Sequence, residues 1–148
     1  MRIKLKLSKK NEEAVAKELT AAGIEISDQG EFVLTEENDW DQRLRCKDGA
    51  DTVIVPIQDI CYMESIGHNV FVCTDSNRYK TELRIYQLEA LLPEDLFIRI
   101  SNSVIIRRNS IERIRPALSC KFILHLTNGD VVDVTRTYYY KFKEFYGI

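Results

Sequence analysis

This chain of 148 residues has little of what most active sites are built from. It holds two histidines, His68 and His125, and four cysteines, Cys46, Cys61, Cys73 and Cys120, with no Cys-x-x-Cys pair among them. Zinc sites draw their ligands from closely spaced pairs, so no metal is expected, and no other cofactor motif is present. There is no glycine-rich phosphate loop and no carboxylate pair framed by glycines, so an enzyme is not expected. No apolar run approaches the roughly 18 residues that a membrane helix needs. The N-terminus, MRIKLKLSKK, alternates where a secretion signal would be a solid apolar block, which points to a cytoplasmic protein. Cys61, Cys73 and Cys120 lie in or beside apolar runs and are expected to be small buried hydrophobes in a reducing compartment.

An excess of positive charge is also lacking. With 21 Lys and Arg against 23 Asp and Glu, the net charge is -2 and the pI about 5.8, whereas phosphate binders usually show a basic total. Distribution therefore carries more information than the sum. From Phe97 to Arg115, FIRISNSVIIRRNSIERIR, the five arginines Arg99, Arg107, Arg108, Arg113 and Arg115 face the single acid Glu112. Within that stretch Ser101, Asn102 and Ser103 form a polar island between apolar triplets, and an Asn amide both donates to and accepts from a base edge. The competing reading of the stretch is a solvated edge strand and turn with scattered arginines.

Taken in order, Arg2 to Leu7 alternates apolar and charged residues like a half-buried strand. Ser8 caps a helix from Lys9, with Val15, Leu19 and Ala22 on its apolar stripe and Gly23 at its end. Ile24 and Ile26, the turn Asp28-Gln29-Gly30, and Phe32 with Leu34 suggest a hairpin, which completes a small β-α-β-β unit over 1–41, ending in an acidic link from Glu36 to Asp41. From residue 42 to the end, short strands dominate. Hairpins are expected at 44–55 about Asp48-Gly49 and at 59–74 about Ile66-Gly67-His68-Asn69, followed by a polar turn at 75–78 and a short helix at 84–92 stopped by Pro93. Strands are expected near Phe97 and at 104–106, 111–115, 122–126 and 131–134, the last two joined by Asn128-Gly129, with a closing helix at 137–146.

Four segments in this order resemble the LytTR DNA-binding domain, a mostly β module of bacterial regulators: IQDICYMESIGHNVFV, LRIYQLEALLPEDLF, FIRISNSVIIRRNSI and LTNGDVVDVTRTYYYKFKEF. The chain departs from the family pattern at Ser101, Asn102, Val104, Arg107 and Thr135. The resemblance implies a mainly β, α+β overall, arrangement of stacked antiparallel sheets with short helices. It also implies loops at one sheet edge that read two successive major grooves of double-stranded DNA without a recognition helix. Carried over by position, the base readers would be His68, Asn102 and Arg136. Arg can bond guanine O6 and N7, Asn adenine N6 and N7, and neutral His offers one donor and one acceptor. Ser101, Ser103, Arg107 and Arg108 would position phosphates, and Lys80 and Arg84 would extend that track.

Residues 1–41 are too few for a receiver domain of about 120 residues. They are expected to serve self-association as a homodimer, or docking to a partner such as a membrane-protein inhibitor, as the resemblance to receiver-less members implies. The rival reading of the whole chain is a non-catalytic protein- or ligand-binding β module that does not touch DNA.

Overall fold

The computed structural model describes residues 1–35 and 42–148; the acidic link expected at 36–41 lies outside the described residues. The chain divides into two compact units, Met1–Gln42 and Arg43–Ile148.

In the first unit, β1 (Arg2–Lys6) leads into α1 (Lys9–Ala21), followed by β2 (Glu25–Ile26) and β3 (Phe32–Thr35). The Ser8 carbonyl accepts the N–H groups of Asn11 and Glu12, each at 3.0 Å, and starts the helix. At its end Gly23, with φ +81°, donates to the Thr20 carbonyl while Ile24 donates to that of Leu19. This left-handed cap satisfies two carbonyls that would otherwise be orphaned. The half-buried stripe of α1 is Val15, Ala16 and Leu19, while Ala22 is exposed.

The hairpin expected after α1 does not form. β2 and β3 both pair parallel with β1, on opposite sides of it, in the order β2-β1-β3. Gly30 is the reason the chain can reach the second edge. A Cβ there would lie 2.6 Å from the Lys4 nitrogen and 2.7 Å from the Ile3 carbonyl carbon, so the crossing against β1 has room for hydrogen only.

The second unit is built on a seven-stranded antiparallel sheet. Its strands are β4 (Arg43–Asp48), β5 (Asp51–Pro56), β6 (Tyr62–Ile66), β7 (Asn69–Cys73), β8 (Arg78–Thr81), β9 (Phe97–Arg99) and β10 (Val104–Arg107), in the order β5-β4-β8-β7-β6-β10-β9. α2 (Ile85–Leu91) links β8 to β9. A second sheet contains β11 (Ile111–Ala117), β12 (Lys121–Leu126) and β13 (Val131–Val134), and α3 (Tyr139–Tyr146) closes the chain after a single 3-10 turn at Arg136–Tyr138.

The two-residue period of the central strands makes two cores from one sheet. Met63, Val72, Phe97 and Ile105 face one side, where Ile85, Leu88 and Leu92 of the α2 region cover them. Their neighbours Tyr62, Cys73, Ile98, Val104 and Ile106 face the other, against Phe122, Leu124, Leu126, Val134 and Phe142. The architecture is therefore helix, sheet, second sheet with α3.

Cys61 and Cys73 are buried as expected, and Cys46 is buried as well, but Cys120 is only half-buried, because it sits in the β11–β12 turn with φ +55°. Burial pushes the Cys46 and Cys61 thiols up to about 11 from an ordinary 9.0, and raises that of Cys73 as well. The Cys61 S–H also donates to Asp75 Oδ1 at 3.2 Å, and that carboxylate adds to the rise. Because folded pKa values lie above unfolded ones, the stabilisation is complete below about pH 9 and is lost as pH rises through 11. Iodoacetamide at pH 8 is thus expected to modify Cys120 alone in the native protein and all four thiols in urea; fast native labelling of a second cysteine would contradict this packing.

Candidate nucleic-acid interface

Strand register decides which connectors meet. Val104 lies opposite Glu64 and Ile106 opposite Tyr62, so the β9–β10 loop and the β6–β7 turn occupy the same end of the large sheet. Val70 lies opposite Thr81, which brings the β8–α2 connection to that end as well. From the second sheet, the chain leaving β13 arrives there through the Thr135 N–H, which donates to the Ile100 carbonyl at 3.0 Å.

Hydrogen bonds stitch these connectors together. The Ser65 N–H donates to the Ser103 carbonyl at 2.8 Å, joining the β6–β7 hairpin to the polar island. Arg84 Nη1 donates to the His68 carbonyl at 3.2 Å. Tyr138 donates its hydroxyl to Asn102 Oδ1 at 3.3 Å, joining the island to the segment that carries Arg136. Arg99 clamps the island from below: its Nε donates to the Ser101 carbonyl at 3.1 Å, its Nη2 to that of Asn102 at 2.6 Å, and its Nη1 reaches Glu89 at 3.3 Å.

His68, Asn102 and Arg136 are exposed, one in each of three connectors at this end. The Asn102 backbone is fixed by Arg99, and its Oδ1 keeps a second lone pair beside the one Tyr138 engages. Lys80 and Arg84 are exposed at the same end, with Lys80 Nζ 6.0 Å from the centre of the Phe71 ring. Ser103 is half-buried.

Three of the residues expected to position phosphates are engaged in contacts within the fold. Ser101 is only 8% exposed, and its hydroxyl oxygen accepts the Ser103 N–H at 3.2 Å, so it shapes the loop from inside. Arg107 and Arg108 lie at the far end of β10, about four residues or roughly 13 Å of strand from the island. Arg107 Nε donates to the Ile60 carbonyl at 2.6 Å, and the Arg108 guanidinium lies 5.1 Å from the Phe145 ring centre and 5.5 Å from that of Tyr146. That far end is also acidic. Asp75 accepts from Cys61, Asp130 accepts from the Tyr62 hydroxyl at 2.9 Å, and Asp59 lies in the neighbouring turn.

A family model for the LytTr DNA-binding domain matches residues 50–147. The chain belongs to this family. Its fold agrees with the solved LytTr DNA-binding domain of a Bacillus cereus response regulator, at TM-score 0.69 and 27% identity, covering 72% of this chain and 97% of that one. Among curated relatives, the sensory transduction protein LytT of Enterococcus faecalis is 31% identical over 101 residues, which are 68% of this chain and 42% of the relative. The LytT of Bacillus subtilis is 29% identical over 110 residues, 73% of this chain and 46% of the relative. An uncharacterised HTH-type transcriptional regulator of Staphylococcus aureus is 31% identical over 91 residues, 62% of this chain and 61% of that protein. The LytTr match thus spans less than half the length of the two LytT proteins, and it leaves residues 1–49 outside the family model.

Proposed function

We propose that this LytTr chain is a cytoplasmic transcriptional regulator that binds double-stranded DNA through the connector end of its large sheet. His68, Asn102 and Arg136 read base edges in the major groove, while Ser103, Lys80 and Arg84 hold phosphates and fix register. The supporting observation is the hydrogen-bonded stitching of three exposed connectors, Ser65 to Ser103, Tyr138 to Asn102 and Thr135 to Ile100, which limits how far the readers can move apart. Preorganisation of this kind lowers the ordering cost on binding. Gel shift with a duplex recovered from a random pool tests the reading. Binding by the parent but equal binding by Asn102→Ala and Arg136→Ala would remove the readers, and no binding by the parent would favour a protein- or ligand-binding module.

We further propose that the N-terminal unit self-associates through β3. None of residues 1–35 whose burial is described is buried, and units of about 40 residues seldom stand without oligomerisation, a metal or disulfides. Phe32 and Val33 on this uncharged edge strand are 54% and 52% exposed. Antiparallel pairing of two copies about Val33 would satisfy the open edge and cover both side chains. It would also join two DNA readers and raise their effective concentration on a repeated site. Sedimentation of the intact chain at micromolar concentration is expected to give a dimer, and Val33→Lys a monomer. Equal monomeric masses would reject self-association and leave β3 to a different partner, such as a membrane-protein inhibitor.

A further inference from the structure

The arginine-rich stretch from Phe97 to Arg115 is only partly used by the interface described above. Arg99 holds the island, Arg107 is spent on Ile60, and Arg108 lies on the aromatic rings of α3. Arg113 and Arg115 remain. Both are exposed on β11, and among the described residues neither engages an acid.

Register shows where they lie. Arg113 stands opposite His125, Arg115 opposite Ile123 and Ala117 opposite Lys121, while Ile114 and Pro116 alternate with them opposite the buried Leu124 and Phe122. Arg113, Arg115 and Lys121 therefore share the outer face of the small sheet. Asp133, opposite Ile123, is the acid that β13 adds to that face. Because Phe122 lies opposite Val134, the β11–β12 turn sits at the end from which Thr135 and Arg136 emerge. At its tip Leu118 is 91% exposed, and Ser119 and Cys120 hold φ +64° and +55°, which turns the chain tightly without a glycine.

We propose that this turn is an additional DNA contact, continuous with the Arg136 connector, in which Arg115 and Lys121 bind phosphates flanking the read sequence and Leu118 packs on the adjacent sugars. The proposal rests on the DNA-binding reading above and extends its footprint onto the outer face of the small sheet. Three observations favour duplex DNA as the occupant. Among the described residues the exposed cations engage no acid, they adjoin the candidate interface, and the apolar tip suits the sugar edge of a groove better than a protein partner, which would need a wider apolar patch.

The intact protein and a duplex recovered from a random pool provide the test, with affinity measured across salt concentrations. Each phosphate contact adds about 0.9 to the slope of log K against log salt, so Arg115→Ala with Lys121→Ala is expected to flatten the slope by about 1.8. The charge-preserving pair, Arg115→Lys with Lys121→Arg, is expected to keep the parent slope. Leu118→Ser is expected to weaken binding several-fold without changing the slope. An unaltered slope in the double alanine variant, or an equal loss in the charge-preserving pair, overturns the additional contact. A parent that binds no duplex would instead remove the DNA-binding reading on which it rests.

Discussion

Arg136→Ala is expected to weaken binding to a preferred duplex by about 5- to 150-fold, the equivalent of the roughly 1–3 kcal/mol that a good bidentate base contact supplies. Arg136 is exposed at the start of the closing 3-10 turn, and among the described residues no carboxylate neutralises it. A cation at that point opposes the favourable charge of a helix start, so its removal carries no stability penalty from the helix itself. The loss should therefore appear in affinity and not in the unfolding midpoint. It should also be selective: the preferred duplex loses its advantage at one base pair, while binding to unrelated sequence declines only by one charge's share. Tyr138→Phe offers a finer version of the same experiment. It leaves Arg136 in place but frees Asn102 Oδ1 from the tyrosine hydroxyl, and a loss of a few-fold is expected from the freer amide.

Phe142→Ala is expected to cost about 3–5 kcal/mol, a large fraction of the total stability of roughly 5–15 kcal/mol usual for a domain. The Phe142 side chain is fully buried, 5.5 Å from the Phe122 ring centre and 5.7 Å from that of Tyr146. Phe122 in turn stacks on Tyr139 at 4.7 Å. α3 has eight residues, too few to persist in water without packing, so this aromatic cluster is what holds it on the sheet. The same cluster fixes the turn that presents Arg136 and Tyr138. Urea unfolding of the variant should show a correspondingly lower midpoint with an unchanged slope, and a loss below about 1 kcal/mol would mean that α3 is held by something else.

Much of the second unit was legible because its strands carry clean signals. Val104 to Ile106 and Phe122 to Leu126 are short and apolar, and Gly49, Gly67 and Gly129 mark turns in which positive φ is required. β8 was missed because RYKT carries two cations in four residues; only the alternation of half-buried Tyr79 and buried Thr81 with exposed Arg78 and Lys80 betrays it. The parallel placement of β3 was hidden for a different reason. Asp28-Gln29-Gly30 is a good turn signal in either topology, and the contact that decides, Gly30 against the backbone of Lys4, lies far away in sequence. The site shows the same division. Residue type and family pattern point to His68, Asn102 and Arg136, but composition treated all five clustered arginines alike. Only register separates Arg107 and Arg108, at the far end of β10, from the free Arg113 and Arg115 on β11. Likewise Ser101 and Ser103 are equivalent on paper, and the inward turn of one hydroxyl distinguishes them.

The most direct test of a three-connector reader is selection of bound duplexes from a random pool by the parent and, separately, by His68→Ala, Asn102→Ala and Arg136→Ala. Each variant is expected to lose preference at its own base position and to retain it at the other two, with the affected positions lying along one face of the duplex. Variants that all select the same sequence as the parent, or a parent that enriches nothing, would contradict the assignment of base reading to this end of the sheet.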